Sequence, residues 1–210
     1  MPADVVGVLL AGGLARRMGG GDKGSRLLGG RPIIARIIER VRPQVGALIL
    51  NANGDPGRFA PYGLPVVPDV VEGFAGPLAG VLTGMTWARE NVPGATWLAS
   101  VATDAPFVPR DLVARLRDAA EGQGRKLSCA ASGGRTHPVM ALWSLNLATA
   151  LRRALVEEGV RKAEAWVMRE DAAIVAFEAG ALDPFFNVNT PADLAAAERL
   201  IAAHPELAGG

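Results

Sequence analysis

A glycine- and arginine-rich loop near the N-terminus carries the residues best suited to chemistry on phosphates. It covers residues 10–23 and reads LAGGLARRMGGGDK. Gly12 and Gly13 allow the backbone to approach a bulky anion closely and to present N–H groups to it. Arg17 and Lys23 add positive charge in the same place. The loop therefore predicts a site for a di- or triphosphate.

Two familiar phosphate-binding motifs fit this loop poorly. It contains no G-x-x-x-x-G-K-[ST] string, which argues against a Walker-type loop. Residues 19–24 match the dinucleotide fingerprint G-x-G-x-x-G, but Gly19 lies eight residues beyond Ala11, where the preceding strand should end. A dinucleotide site is therefore the weaker alternative. A glycine-rich loop with solvated arginines is the other alternative.

Asp104 is the second candidate for chemistry, because it directly follows a predicted buried strand in the sequence TDAP. In an open parallel sheet, ligands collect beyond the carboxyl ends of the strands. Mg²⁺ prefers oxygen ligands, typically one or two carboxylates completed by phosphate oxygens and water. Asp104 is therefore the predicted Mg²⁺ ligand, and a turn acid before Pro106 is the alternative.

The elements that must position these residues alternate between strands and helices in the first half of the chain. Short apolar runs predict strands at residues 5–11, 46–53, 65–69 and 96–103. Helical spacing and capping residues predict helices from residue 32 to about 43, at 78–91 and at 111–121. This order is typical of a parallel sheet flanked by helices with right-handed crossovers.

The second half is less regular. Strands at residues 126–132 and 137–143 are joined at Gly133 and Gly134, which predicts a hairpin and an antiparallel member of the sheet. Helices at 145–157 and 161–170, a strand at 173–177 and a last helix at 190–203 follow. Thr190 is the predicted N-cap of that helix. The predicted fold class is α/β, a Rossmann-like three-layer fold with a mostly parallel sheet and an antiparallel addition in the second half.

Composition predicts one domain over residues 1–210. A net charge of +1 gives no broad reason to expect nucleic acid or a membrane surface as partner. No apolar stretch approaches the roughly 18–20 residues of a membrane span, and the N-terminus lacks the pattern of an export signal. The single cysteine, Cys129, cannot form an internal disulfide, so a reducing, cytoplasmic compartment is expected.

Five segments, in order along nearly the whole chain, resemble the molybdenum cofactor guanylyltransferase family of nucleotidyltransferases. They are the loop string LAGGLARRMGGGDKG and residues 51–53 (NAN), 76–80 (GPLAG), 103–106 (TDAP) and 187–191 (NVNTP). The resemblance implies transfer of GMP from GTP to the phosphate of molybdopterin, with release of pyrophosphate. It also implies a nucleotide-binding half at about residues 1–110 and a pterin-side half at about 111–210.

The resemblance implies roles for individual residues. Lys23 and Arg17 are the expected phosphate clamps, and Asp104 holds Mg²⁺. The expected nucleotide and pterin contacts are Leu10, Ala11, Gly12, Gly13, Lys23, Asn51, Asp69, Asp104, His137, Asn187 and Asn189. The Asp69 carboxylate could accept the adjacent N–H donors of guanine, or be an ordinary turn acid. His137 is expected on the pterin side, or is a structural histidine, and Asn187 and Asn189 could simply form a turn.

Three other functions compete with this one. The related cytidylyltransferases read LAAG where this chain has LAGG at residues 10–13, so the choice of GTP over CTP depends on the resemblance. A non-catalytic nucleotide-binding partner protein is the alternative of another class, and an NAD-dependent oxidoreductase is a distant third. No nucleophilic Ser/His/Asp arrangement and no zinc spacing is apparent in the sequence. Transient contacts with cofactor-synthesis or acceptor proteins are expected.

Overall fold

The computed structural model describes residues 2–12, 26–71, 73, 76–180 and 182–204. Its strands are β1 (Val5–Leu10), β2 (Leu27–Leu28), β3 (Arg31–Pro32), β4 (Ala47–Asn51), β5 (Val66–Val67), β6 (Trp97–Ala102), β7 (Leu127–Ser132), β8 (Arg135–Ser144) and β9 (Ala173–Ala176). Seven of them form one sheet in the order β5-β4-β1-β6-β8-β7-β9, and β2 and β3 pair separately. The large sheet therefore includes strands from both halves of the chain.

The sheet is mostly parallel. β1 pairs in parallel with β4 and β6, β4 with β5, and β7 with β9. β8 runs antiparallel to both of its neighbours, β6 and β7. The turn between β7 and β8 has positive φ at Gly133 (53°) and Gly134 (74°), as a tight two-residue hairpin requires. The predicted antiparallel addition is confirmed.

Helices cover both faces of the sheet. They are α1 (Ile33–Val41), α2 (Pro77–Asn91), α3 (Leu112–Gly122), α4 (Ala148–Val156), α5 (Ala163–Arg169) and α6 (Pro191–Ala203). One apolar core unites one face of the sheet with α1, α3 and α6, and a second core unites the other face with α2, α4 and α5. The predicted three-layer α/β fold is confirmed. Within the described ranges, no helix is long and apolar enough to cross a membrane.

The structure differs from the sequence-based elements near residue 32. Pro32 belongs to β3 and caps α1, which begins at Ile33, so Pro32 is not the first helical residue. The two short strands β2 and β3 were not predicted. They are anchored to α1 by the buried Arg36 side chain, whose Nε donates to the Leu28 carbonyl at 2.9 Å. The predicted helix at 145–157 begins as a 3₁₀ turn, Leu145–Leu147, before α4.

Candidate active site

The carboxyl ends of β1, β4, β5 and β6 meet at one edge of the sheet, because these strands are parallel. Two hydrogen bonds tie three of the ends together. The Ala11 amide donates to the Asn51 carbonyl at 2.9 Å, and the Thr103 hydroxyl donates to the Leu10 carbonyl at 3.1 Å. The predicted site residues on these four strands are therefore neighbours.

Asp69, just beyond β5, is held by two asparagines of the neighbouring strand end. Its Oδ1 accepts the Asn51 amide at 2.9 Å, and its Oδ2 accepts the Asn53 amide at 2.8 Å. The Asp69 backbone N–H donates a hydrogen bond to Asn53 Oδ1 at 2.9 Å. We refer to Asn51, Asn53 and Asp69 as the Asp69 network. Its donors are neutral amides, so they orient the carboxylate without cancelling its negative charge.

The first turns of α2 pack directly against this network. A Cβ atom at Gly80 would lie 2.3 Å from Asn51 Oδ1 and 2.6 Å from Leu10 Cδ2, so any larger residue would have to displace these side chains. One turn later, the buried Thr83 hydroxyl accepts the Val70 amide at 3.0 Å and donates to the Ala79 carbonyl at 2.9 Å. The small residues of α2 therefore fix both strand ends that carry the network.

Asp104 lies two residues beyond β6 and is half-buried. Its backbone carbonyl accepts the amide of Val188 at 2.8 Å, which brings the segment of Asn187 and Asn189 beside it. The Asn189 amide donates to Asp193 Oδ2 at 2.9 Å. Asp193 also forms a capping box with Thr190, the N-cap of α6, so the segment is fixed by the start of that helix.

A third polar group lies further along the same edge, where β7 ends and β8 begins. Ser132 Oγ lies 2.7 Å from His137 Nε2 and 2.7 Å from Asp183 Oδ1. Asp183 Oδ1 also accepts the Phe185 amide at 2.9 Å, and the His137 ring packs on the Phe185 ring with centroids 4.7 Å apart. We refer to Ser132, His137 and Asp183 as the Ser132 cluster.

The electrostatics of the Ser132 cluster favour a neutral imidazole. Burial lowers the pKa of His137 below its ordinary value of 6.5, and the nearby Arg135 lowers it further, although the Asp183 charge opposes both. The neighbouring Cys129 is buried, which raises its pKa to about 11, so its thiol stays neutral. At neutral pH the ring therefore has one N–H and one acceptor nitrogen.

One segment of chain connects this cluster to Asp104. It runs from Asp183, which binds Ser132, through Phe185, which packs on His137, to Val188, which binds the Asp104 carbonyl. Asp183 and Val188, which are five residues apart, are thus both fixed, and the segment between them follows the sheet edge. The Ser132 cluster and Asp104 are therefore connected by one segment at the same edge of the sheet.

The predicted residues now fall into three groups. Leu10, Ala11, Asn51 and Asp69 lie together, Asp104 lies beside the segment of Asn187 and Asn189, and His137 lies in the Ser132 cluster. Gly12 is exposed, and a Cβ there would meet no atom within 4 Å in the part of the chain that is described. Gly13, Arg17 and Lys23 lie outside the described residues, so their roles stay predictions.

Four polar residues of the site were not among the predicted contacts. They are Asn53, Thr83, Ser132 and Asp183. Asn53 had a visible signal, since it shares the NAN string with Asn51 at a strand end. Thr83 is spaced like a core residue of α2, and Ser132 is bound to Asp183, which lies 51 residues later. Such pairing depends on tertiary structure and leaves no pattern in the sequence.

The donor set at Asp104 suits Mg²⁺. A half-buried carboxylate at the sheet edge supplies one hard oxygen ligand. Mg²⁺ commonly takes only one or two protein carboxylates and fills its octahedron with phosphate oxygens and water. Asp104 is therefore chemically suited to hold the ion together with a nucleotide.

The chain resembles known proteins over most of its length. A family model described as the MobA-like NTP transferase domain matches residues 7–175. The chain is 56% identical over 198 residues to a molybdenum cofactor guanylyltransferase from Bradyrhizobium sp. (strain ORS 278), covering 94% of this chain and 93% of that relative. It is 53% identical over 196 residues to one from Nitrobacter hamburgensis, covering 93% and 94% of the two chains.

A solved structure shares the fold. The crystal structure of molybdopterin-guanine dinucleotide biosynthesis protein A from Archaeoglobus fulgidus superimposes with a TM-score of 0.71 and 24% identity. The match covers 94% of this chain and 99% of that one. The layered α/β architecture described above is therefore shared with that protein.

Proposed function

This chain belongs to the MobA-like NTP transferase family, and we propose that it transfers GMP from GTP to the phosphate of molybdopterin. The reaction forms the guanine dinucleotide of the cofactor and releases pyrophosphate. One observation carries the proposal, namely identity above one half, over more than nine-tenths of both chains, to molybdenum cofactor guanylyltransferases. The family and the enzyme class predicted from sequence are confirmed.

Such a transfer needs little covalent chemistry from the protein. Catalysis depends instead on in-line positioning and on charge neutralisation at the α-phosphate and the leaving pyrophosphate. The tied ends of β1 and β4 support this role. Gly12 is exposed, and no atom of the described residues lies within 4 Å of the position that its Cβ would take, which supports close approach of a large anion to its backbone. Lys23 and Arg17 are the proposed phosphate clamps in the loop that follows.

Nucleotidyltransferases of this kind generally use a divalent metal, and we infer that it is Mg²⁺ held by Asp104. When bound, the ion would neutralise charge on the phosphates. Asp104 supports this role because it is half-buried at the edge where the nucleotide is proposed to lie. Its backbone carbonyl accepts a hydrogen bond from the Val188 amide, which fixes the backbone from which the carboxylate side chain extends.

The Asp69 network supports the choice of guanine. A carboxylate has about four lone-pair sites, and the two asparagine amides use one on each oxygen. The remaining sites suit the two adjacent N–H donors of guanine, which cytosine does not offer in that arrangement. Both N–H groups of Asn51 bind within the protein, one to Asp69 and one to the Val67 carbonyl at 3.1 Å, so its amide nitrogen positions Asp69.

The pterin side of the proposed site comprises Asn187, Asn189 and His137. Neutral amides and a neutral imidazole can bind the heterocycle or its phosphate without a cost in net charge. We propose that residues from about 111 onward supply this half and that residues 1 to about 110 supply the nucleotide half. Transient contacts that hand the product to acceptor proteins, and a cytoplasmic location, belong to the same proposal.

The first test is pyrophosphate release with molybdopterin and Mg²⁺, supplying GTP, CTP or ATP separately, with a control that lacks the pterin. Pterin-dependent release with GTP alone is expected. Preference for CTP would keep the fold and the reaction but overturn the assignment of guanine to Asp69. Absence of release with every nucleotide would favour a non-catalytic nucleotide-binding protein.

A further inference from the structure

The Ser132 cluster contains the three residue types of a catalytic triad, but in a different order. In a triad the histidine stands between the serine and the carboxylate. Here the serine stands in the middle, with its Oγ 2.7 Å from both His137 Nε2 and Asp183 Oδ1. Ser132 is also only 3% exposed. The arrangement therefore requires a different explanation from nucleophilic attack.

The hydrogens of the cluster can be assigned by counting donors. Asp183 as a carboxylate can only accept, and its Oδ1 already accepts the Phe185 amide at 2.9 Å. The Ser132 hydroxyl has one hydrogen, and it must donate that hydrogen to Asp183. The contact with His137 must then be an Nε2–H that donates to Ser132 Oγ. In a neutral ring this leaves Nδ1 as an acceptor.

This assignment excludes Ser132 as a nucleophile activated by His137. Nε2 already carries a hydrogen, so it cannot take the hydroxyl proton. The cluster instead fixes the orientation of a ring. Phe185 supports one side of that ring at 4.7 Å, and Phe177 packs edge-on against Phe185 at 5.3 Å.

His137 is suited to bind a ligand through its remaining ring nitrogen. The ring is half-exposed, and Nδ1 has no hydrogen-bond partner among the residues described. The segment from Asp183 to Val188 leads from this ring directly to Asp104. An acceptor nitrogen with a fixed direction is therefore built into the edge that carries the proposed metal ligand.

We propose that Ser132 and Asp183 are positioning residues that fix His137 as its Nε2–H tautomer, so that Nδ1 accepts a hydrogen bond from an N–H group of the pterin. The inference rests on the proposed function, because the pterin is its acceptor substrate. A pterin ring offers several N–H donors, and a single fixed acceptor can select one orientation of the ring. Ser132 and Asp183 themselves act only through His137.

The tautomer can be measured by ¹⁵N NMR of the imidazole rings, which does not depend on activity. The chain has two histidines, so His204 serves as an internal control and His137→Gln assigns the signals. The wild-type protein should show His137 with hydrogen on Nε2. Asp183→Ala removes the acceptor, so the Ser132 hydroxyl is free to donate to Nε2 and the Nδ1–H form should appear. Asp183→Asn keeps an Oδ1 acceptor and should retain the wild-type tautomer.

The second measurement separates positioning from a merely structural role. In Ser132→Ala, the KM for molybdopterin should rise roughly tenfold, as expected for one misplaced hydrogen bond. Its kcat and its KM for GTP should stay within about twofold, and Asp183→Asn should resemble wild type in all three. A rise in both KM values would indicate general disturbance of the fold and would overturn the proposal.

Two other results would also overturn it. One is a wild-type His137 that carries its hydrogen on Nδ1, and the other is an unchanged KM for molybdopterin in Ser132→Ala. Failure of the proposed function is distinguishable from these results. Wild-type protein without pterin-dependent release would remove the pterin as ligand of Nδ1, whereas the NMR spectrum reports independently on the positioning by Ser132 and Asp183.

Discussion

The Asp69 network and the Ser132 cluster lie at the same edge of the sheet, and each holds one carboxylate, but they use it differently. In the Asp69 network, Asn51 and Asn53 orient the carboxylate, and the carboxylate itself is the group proposed to bind the ligand. In the Ser132 cluster, the Asp183 carboxylate accepts a hydrogen bond from Ser132. Ser132 in turn contacts the His137 ring and fixes its orientation.

The difference matches the two ligands proposed for the site. Two adjacent N–H donors, as on guanine, are bound best by the two oxygens of a carboxylate. A single N–H donor is bound best by one fixed lone pair. A neutral ring nitrogen provides such a lone pair without burying a second charge. The same edge of one sheet can therefore bind two heterocycles by separate means. Asp104 and the segment after Asp183 join the two regions.

Asp104→Ala should have the largest effect, because Asp104 serves both regions through the proposed Mg²⁺. We expect kcat to fall about 100-fold or more, since charge neutralisation at the phosphates is lost. Lys23→Ala should lose most turnover for the same reason. The control is Asp118→Ala, which removes an exposed carboxylate of α3 and should keep wild-type activity. Near-normal turnover in Asp104→Ala would contradict its role.

Asp69→Asn should weaken the binding of GTP selectively. The change keeps the shape of the side chain but removes the charge and replaces one accepting oxygen with an NH2 donor. A hydrogen bond to a charged group is worth about 1.5–3 kcal/mol. The KM for GTP should therefore rise about 10- to 100-fold, with the KM for molybdopterin unchanged. Steady-state kinetics with each substrate varied in turn provides the check. An equal rise in both constants would break the separation of the two regions.

Gly80→Ala should disturb the Asp69 network through packing alone. The added Cβ would lie 2.3 Å from Asn51 Oδ1, so the asparagine or the helix must move. Such overpacking typically costs about 1–3 kcal/mol of the free energy of unfolding, measurable by urea denaturation. Gly122→Ala at the end of α3 is the matched control, because its Cβ would meet no atom of the described residues within 4 Å. Equal stability of the two variants would show that Asn51 is not held by this contact.

Acidification through the pKa of His137 should have the smallest effect of the four changes. Protonation converts His137 Nδ1 from an acceptor to a donor, so the KM for molybdopterin should rise several-fold below the pKa of the ring. Burial and Arg135 lower that pKa from 6.5 despite Asp183, and Cys129 stays neutral. The midpoint of the rise in KM should therefore lie below pH 6.5. A pH profile of the wild-type enzyme with its midpoint above pH 6.5 would contradict the environment described for His137.

Much of the fold was predictable because it follows from local patterns. The buried runs that form β1 and β6, the glycine pair between β7 and β8, and the Thr190 cap of α6 each have a direct local signal. The short strands β2 and β3 have no such signal, since two residues are too few to show a period. They are tied to α1 by the Arg36 side chain, which donates a hydrogen bond to the carbonyl of Leu28 in β2.

The candidate site likewise has features that the sequence predicts and features that only the tertiary structure decides. The sequence by itself determined which residue types follow the strands, including Asn51, Asp69 and Asp104, because parallel strands bring their carboxyl ends to one edge. Only the tertiary structure decided what those residues contact. Asn51 meets Asp69 across 18 residues, and Ser132 meets Asp183 across 51. Hydrogen bonds between such distant positions depend on strand order and on the return of the chain after β9, and neither is encoded in local spacing.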